Sequence, residues 1–102
     1  MNVLAEIKQR FAGVLESYAE SNNVESLLAM IKPAQDSRFG DYQANCAMSL
    51  GKRLSRAPRD IAAEIVEKVQ LDDLCDNVEI AGPGFINLTI RDDYLAQQVV
   101  QA

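Results

Sequence analysis

The chain has 102 residues, 48% of them apolar, a net charge of −5 and no histidine. One domain of that length has material for a single core but not for a deep catalytic cavity as well. Without histidine the commonest general base is missing, and no Ser-His or Cys-His pair can be built. No apolar stretch approaches the roughly 20 residues of a membrane span. Glu6, Lys8 and Arg10 also break any leader-like run at the start, so the expected compartment is the cytoplasm.

Residues 2–21 read as an amphipathic helix. Val3, Ile7, Phe11, Val14 and Tyr18 recur at helical steps, Leu4 and Leu15 widen the stripe, and Ser21-Asn22-Asn23 ends it. Residues 27–32 form a short apolar run closed by Pro33, which predicts a buried strand. Arg38-Phe39-Gly40 reads as a second short strand. Asp41 is placed to cap a helix over 42–54, with Ala47, Leu50 and Leu54 on one face. The next helix starts at Pro58, which suits a first helical position. Asp60 and Glu64 lie near its positive end, and Ile61, Ile65 and Val69 form its core stripe with Val66 beside them.

Residues 78–90 predict a β-hairpin turning at Gly82-Pro83-Gly84. Asp92-Asp93 opens a last helix through Tyr94, Leu95 and Val99. With no cap before the end of the chain, that helix is expected either to be cut short there or to continue into a following domain. The pattern predicts a two-layer α+β domain, with helices on one face of a small, mainly antiparallel sheet and the other face open.

Three features carry functional information. The first is the second hairpin strand, where period-2 alternation puts Ile86, Leu88 and Ile90 on one face and Phe85, Asn87 and Thr89 on the other. A ring and a carboxamide two residues apart can stack on an unpaired base and bond its edge. Spacing alone favours a plainer reading, an aromatic folded over the sheet edge beside a solvated amide. The second is charge. Residues 1–31 hold two basic and four acidic groups, 32–59 six and two, and 60–102 two and nine, so one middle segment can face a polyanion. Lys52, Arg53, Arg56 and Arg59 concentrate there, either to meet phosphates or to complement a helix C-terminus. The third is a set of exclusions. Gly82-Pro83-Gly84 lies between two strands, so the phosphate-loop context fails. Cys46 and Cys75 stand apart with no partner ligands, so no metal site is expected and both read as reduced, buried thiols.

Phe39-Gly40-Asp41-Tyr42-Gln43-Ala44-Asn45, Ala57-Pro58-Arg59, and the run from Val78 to Leu88 through Gly82-Pro83-Gly84, in that order, closely resemble the N-terminal additional domain of bacterial arginyl-tRNA synthetases. The likeness covers nearly the whole chain. It implies an αββαββ-like fold. It further implies that residues 1–102 are a single N-terminal tRNA-binding domain, with the catalytic and anticodon-binding domains absent. The full enzyme implied is a class I synthetase that joins arginine to tRNA with ATP and Mg. In that family the N-terminal domain meets the D-loop of tRNA(Arg) at the outer corner, where an aromatic and an amide two positions later read an adenosine. Phe85 and Asn87 match those positions. Tyr42, Gln43 and Asn45 match the family pattern too, with contact to tRNA or to the catalytic body both open.

The chain departs from the family's enzymes in lacking their nucleotide-binding signatures, one of which requires histidine, so no catalytic residue, cofactor or metal is expected here. An acidic fragment should hold RNA feebly by itself, because phosphate neutralisation dominates affinity. Linkage to the rest of the enzyme would compensate by raising its effective concentration. Two other readings stay open, a docking element for the catalytic body and a protein-interaction module that uses the open sheet face.

Overall fold

A computed structural model describes residues 3–18 and 21–92. In chain order these form α1 (Val3–Leu15), α2 (Ser21–Leu28), β1 (Ile31–Pro33), a 3-10 turn (Ser37–Phe39), β2 (Tyr42–Ala44), α3 (Cys46–Leu54), α4 (Pro58–Lys68), β3 (Cys75–Ala81) and β4 (Phe85–Ile90). The four strands make one antiparallel sheet in the order β1-β2-β4-β3. The expected α+β architecture is therefore observed.

The core lies between the helices and one sheet face. Ile7, Phe11 and Leu15 of α1 meet Leu50 of α3, Ile61 and Ile65 of α4, and Ala44, Ile86, Leu88 and Ile90 of the sheet, all fully buried. Burying each large aliphatic chain contributes roughly 1.5–3 kcal/mol, so this layer dominates the stability. The stripes of α1 and α4 bury Ile7, Phe11, Leu15, Ile61 and Ile65 as their spacing predicts, while Tyr18 and Val69 lie beyond the ends of the two helices. Pro58 occupies the start of α4, as expected. The β4 alternation also places Ile86, Leu88 and Ile90 inward.

Several local expectations are corrected. The helix over 2–21 is shorter, because α1 ends at Leu15 and Ser21-Asn22-Asn23 opens α2 instead of closing α1. Small polar residues favour helix starts as readily as turns. Leu27 and Leu28 belong to the last turn of α2 and not to a strand; the strand begins at Ile31 and includes Pro33. β1 pairs only with β2 in the sheet order, and proline is tolerated on such an edge.

Arg38-Phe39 lies in the 3-10 turn, so the short strand expected there is absent. The helix expected over 42–54 is split. Tyr42–Ala44 is a strand held between β1 and β4, and the helix starts at Cys46. Asp41 caps nothing. Its N–H donates to Leu88 O at 2.7 Å, and its Oδ2 accepts the Ile90 N–H at 2.8 Å, which extends the pairing of the two inner strands, β2 and β4. Leu54 remains 39% exposed in the last turn of α3 and does not join Ala47 and Leu50 in the core. The hairpin is longer than expected, since β3 reaches back to Cys75. The expected last helix, with Tyr94, Leu95 and Val99, lies outside the described residues.

Candidate nucleic-acid interface

Antiparallel register fixes what the second sheet face carries. Lys32 of β1 stands opposite Gln43 of β2, Gln43 opposite Asn87 of β4, and Asn87 opposite Glu79 of β3. Opposed residues share a face, so these four form one polar row across all four strands. Phe85, opposite Ala81, follows on the same face.

Within that row Gln43 Nε2 donates to Asn87 Oδ1 at 2.9 Å. Asn87 is only 6% exposed, and it is the one polar residue among the buried side chains described. It is thus a covered amide with its carbonyl engaged, and not the freely solvated strand residue that alternation also allowed. Phe85 is half-buried and stands outside the core cluster. Its ring leans over the hairpin turn, since a Cβ built on Gly82 would stand 3.2 Å from Phe85 Cδ2.

Phe85 lines a pocket of about 350 Å³ together with Lys32, Pro33, Gln35, Phe39, Gln43 and Asn45. The opening therefore gathers residues from β1, the Ser37–Phe39 turn, β2 and β4. Asn45 precedes α3 in the N-cap position but makes no side-chain capping bond, and its Oδ1 is buried without a partner among the described residues. Tyr42 falls on the other face, opposite Leu88, and packs against the core; burial raises its phenol pKa. Of the three additional candidates, then, Gln43 and Asn45 line the pocket and Tyr42 does not.

The turn that carries Phe39 is tightly held. The Phe39 N–H donates to Asp36 O at 2.9 Å, and Arg38 forks onto Asp36 Oδ2 through Nε at 3.1 Å and Nη2 at 2.8 Å. The Arg38 guanidinium lies 5.8 Å from the centre of the Phe39 ring. Gly40 follows at φ +85°, and a Cβ there would come within 2.6 Å of Leu88 O, so only glycine lets the turn close onto β4. Phe39 is nevertheless 41% exposed. The pattern reading treated it as a short strand residue. The overlooked signal was its place in an Asp-Ser-Arg-Phe-Gly run, whose Asp and Gly are turn formers.

The basic group divides. Lys52 and Arg53 are exposed and make no ion pair among the described residues. Lys52 lines a second groove with Met30, Asn45, Met48 and Ser49. Arg56 pairs with Glu64, whose other oxygen accepts from Tyr18 Oη at 2.9 Å, while Lys68 donates to Tyr18 Oη at 3.1 Å. These bonds, first that from Arg56 and then that from Tyr18, hold the Glu64 carboxyl down at about 2. Arg59 Nη1 donates to Gly82 O at 2.7 Å and so ties the hairpin turn to the start of α4. A Cβ on Gly84 would stand 2.8 Å from Pro58 Cβ, which shows how closely the turn rests on that helix. Arg56 and Arg59 therefore have duties inside the domain, whereas Lys52 and Arg53 do not.

Burial pushes both the Cys46 and the Cys75 thiol up to about 11, which leaves them protonated and unreactive near neutral pH. No group of three or more potential metal ligands occurs among the described residues. No helix among them is long and apolar enough to cross a membrane.

Comparison with known proteins gives a consistent result. The family model described as arginyl tRNA synthetase N terminal domain matches residues 5–90. An arginine–tRNA ligase of Thermobifida fusca is 56% identical over 70 residues, which is 69% of this chain and 12% of that protein. One from Synechocystis is 41% identical over 101 residues, covering 99% of this chain and 17% of that protein. The crystal structure of arginyl-tRNA synthetase from Plasmodium falciparum superposes on 95% of this chain and 17% of its own with a TM-score of 0.75; at 22% identity it bears on the fold alone. The chain thus spans less than a fifth of the length of the relatives it matches.

Proposed function

The chain belongs to the arginyl-tRNA synthetase N-terminal domain family, and from that premise we propose that it is the part of a cytoplasmic arginine–tRNA ligase that contacts the D-loop of tRNA(Arg) through its second sheet face. The observation that carries this reading is Phe85. A half-buried ring stands outside the core, beside a polar row, and lines a pocket with three amides, a lysine, a proline and Phe39. A flat apolar surface of that kind stacks on any splayed base, and the amides and ammonium suit a base edge and a phosphate.

Exposed Lys52 and Arg53 give the phosphate chain a second basic contact. Arg56 and Arg59 support it indirectly by fixing the helices and the hairpin turn. The joining of arginine to tRNA with ATP and Mg is assigned to the catalytic body of the same parent chain. One of the nucleotide-binding signatures of that chemistry requires histidine, and this chain has none.

The test is Phe85→Ala in the full-length ligase. The Michaelis constant for tRNA should rise by the equivalent of about 1–3 kcal/mol, with kcat and the constants for arginine and ATP unchanged. Unaltered charging at limiting tRNA would remove the stacking role. A second reading is favoured by Leu54, an exposed large apolar side chain in the last turn of α3 that could dock on the catalytic body. On that reading Leu54→Ser would lower the melting temperature of the full enzyme without raising its tRNA requirement.

A further inference from the structure

The following inference rests on the reading of Phe85 above and concerns what holds that ring in place. Gly82, Pro83 and Gly84 join β3 to β4, and Phe85 follows them directly, paired with Ala81 across the turn. A displacement of the turn therefore carries the ring with it. Gly82 and Pro83 are exposed, so the position of the turn depends on its contacts with the rest of the domain.

Two contacts with the start of α4 supply that hold. Arg59 Nη1 donates to Gly82 O at 2.7 Å. Gly84 is buried against Pro58, where a Cβ would stand 2.8 Å from Pro58 Cβ. The anchor is itself stiff. Pro58 sits at the start of the helix with its φ fixed by the ring. It also meets α3, since a Cβ on Gly51 would lie 2.9 Å from Pro58 Cγ. The Arg56 N–H donates to Gly51 O at 3.0 Å, which closes the end of α3 just before Pro58. Helix α3, Pro58 and the hairpin turn are thus in contact in series.

We propose that Arg59 is a positioning residue for tRNA recognition: its bond to Gly82 O sets where the Phe85 ring stands, and its guanidinium is not a phosphate ligand. The bond is charge-assisted, and so stronger than one between neutral groups. Its acceptor belongs to the turn and not to the sheet ladder, so breaking it frees the turn and leaves the pairing of β3 with β4 intact.

The experiment is tRNA charging by the full-length ligase over a range of salt concentrations, with Arg59→Ala, Arg59→Lys, Phe85→Ala and the double variant Arg59→Ala/Phe85→Ala. Arg59→Ala should raise the KM for tRNA about threefold to tenfold, the strength of one exposed bond to a charged group. The kcat and the KM for ATP and for arginine should stay put. Arg59→Lys, which keeps a cationic donor on a long stem, should recover most of the loss. In the Phe85→Ala background, Arg59→Ala should add less than about twofold, because the ring it positions is already gone. The slope of log KM against log salt should match that of the unaltered enzyme, whereas loss of a phosphate contact would make it shallower by about 1.

If Phe85→Ala raises the KM and Arg59→Ala leaves it alone, the positioning role is refuted while the broader function stands. Losses that multiply in the double variant show that Arg59 acts apart from the ring and overturn the proposal. A shallower salt slope overturns it too, by making Arg59 a phosphate ligand. A fall in kcat or a raised KM for ATP marks general damage and counts against it. If Phe85→Ala has no effect, this inference and the stacking beneath it both fail.

Discussion

The two faces of β4 are built from the same six residues and obey opposite rules. Inward, Ile86, Leu88 and Ile90 lie under α3 and α4 and are held by non-directional burial. Outward, Phe85 is left partly in solvent, and Asn87 is covered but accepts a directional bond from Gln43. The magnitudes differ. Three buried aliphatic chains contribute several kcal/mol, whereas one neutral amide pair contributes about 1 kcal/mol. A face that adds so little to folding can be shaped for contact without endangering the fold.

The sharpest way to break this contrast is to cut into the inward face. Leu88→Ala should lower the unfolding free energy of the chain by about 3 kcal/mol, since a fully buried leucine leaves a cavity as well as losing its transfer energy. Against a typical total of roughly 5–15 kcal/mol, that is a large share. Urea unfolding should show a lower midpoint at constant m-value. A loss below about 1 kcal/mol would mean that the helices close over the gap, and that the face is less tightly packed than its burial suggests.

The outward face should respond less. Asn87→Ala removes the acceptor for Gln43, and Gln43→Ala removes the donor; each should cost about 1 kcal/mol. In a double-mutant cycle the pair should couple by about 0.5–1 kcal/mol, because each single change already breaks the bond. Strict additivity would show that the amides are neighbours only.

This contrast also explains how much of the molecule the sequence revealed. The stripes of α1 and α4 and the alternation of β4 are long enough for periodicity to register, and the hairpin turn carries its own glycines. β1 and β2 have three residues each, too few for alternation to speak. Tyr42–Ala44 became a strand because β1 and β4 lie on either side of it, a long-range fact that local propensity does not hold. Phe85 was legible as a candidate from spacing and from family resemblance. Phe39 was not, because its meeting with Phe85 depends on a turn folding back over β4. The four basic residues looked alike in sequence. Only their distances to Glu64 and Gly82 O separate Arg56 and Arg59 from Lys52 and Arg53.

The smallest expected effect isolates charge from both faces. Neither the aliphatic face nor the amide pair titrates, so acid sensitivity must come from paired carboxylates. Glu64 is drawn from the ordinary 4.5 down to about 2 by Arg56 and Tyr18, while Asp36 and Asp73 are also lowered by Arg38 and Arg10. A carboxylate with a depressed folded pKa stabilises fully above its unfolded value. That contribution fades as pH falls from about 4.5 and is gone below about 2. The melting temperature should therefore drop across this window. Because the Glu64 pairs face water, their share is modest. Glu64→Gln should make the drop shallower without abolishing it, since Asp36 and Asp73 still titrate. Leu88→Ala should lower the whole curve and leave its slope intact. Were Glu64→Gln to leave the slope unchanged as well, the Arg56–Glu64–Tyr18 cluster would contribute nothing to the folded state. Arg56 would then be as available to a phosphate as Lys52 and Arg53 are.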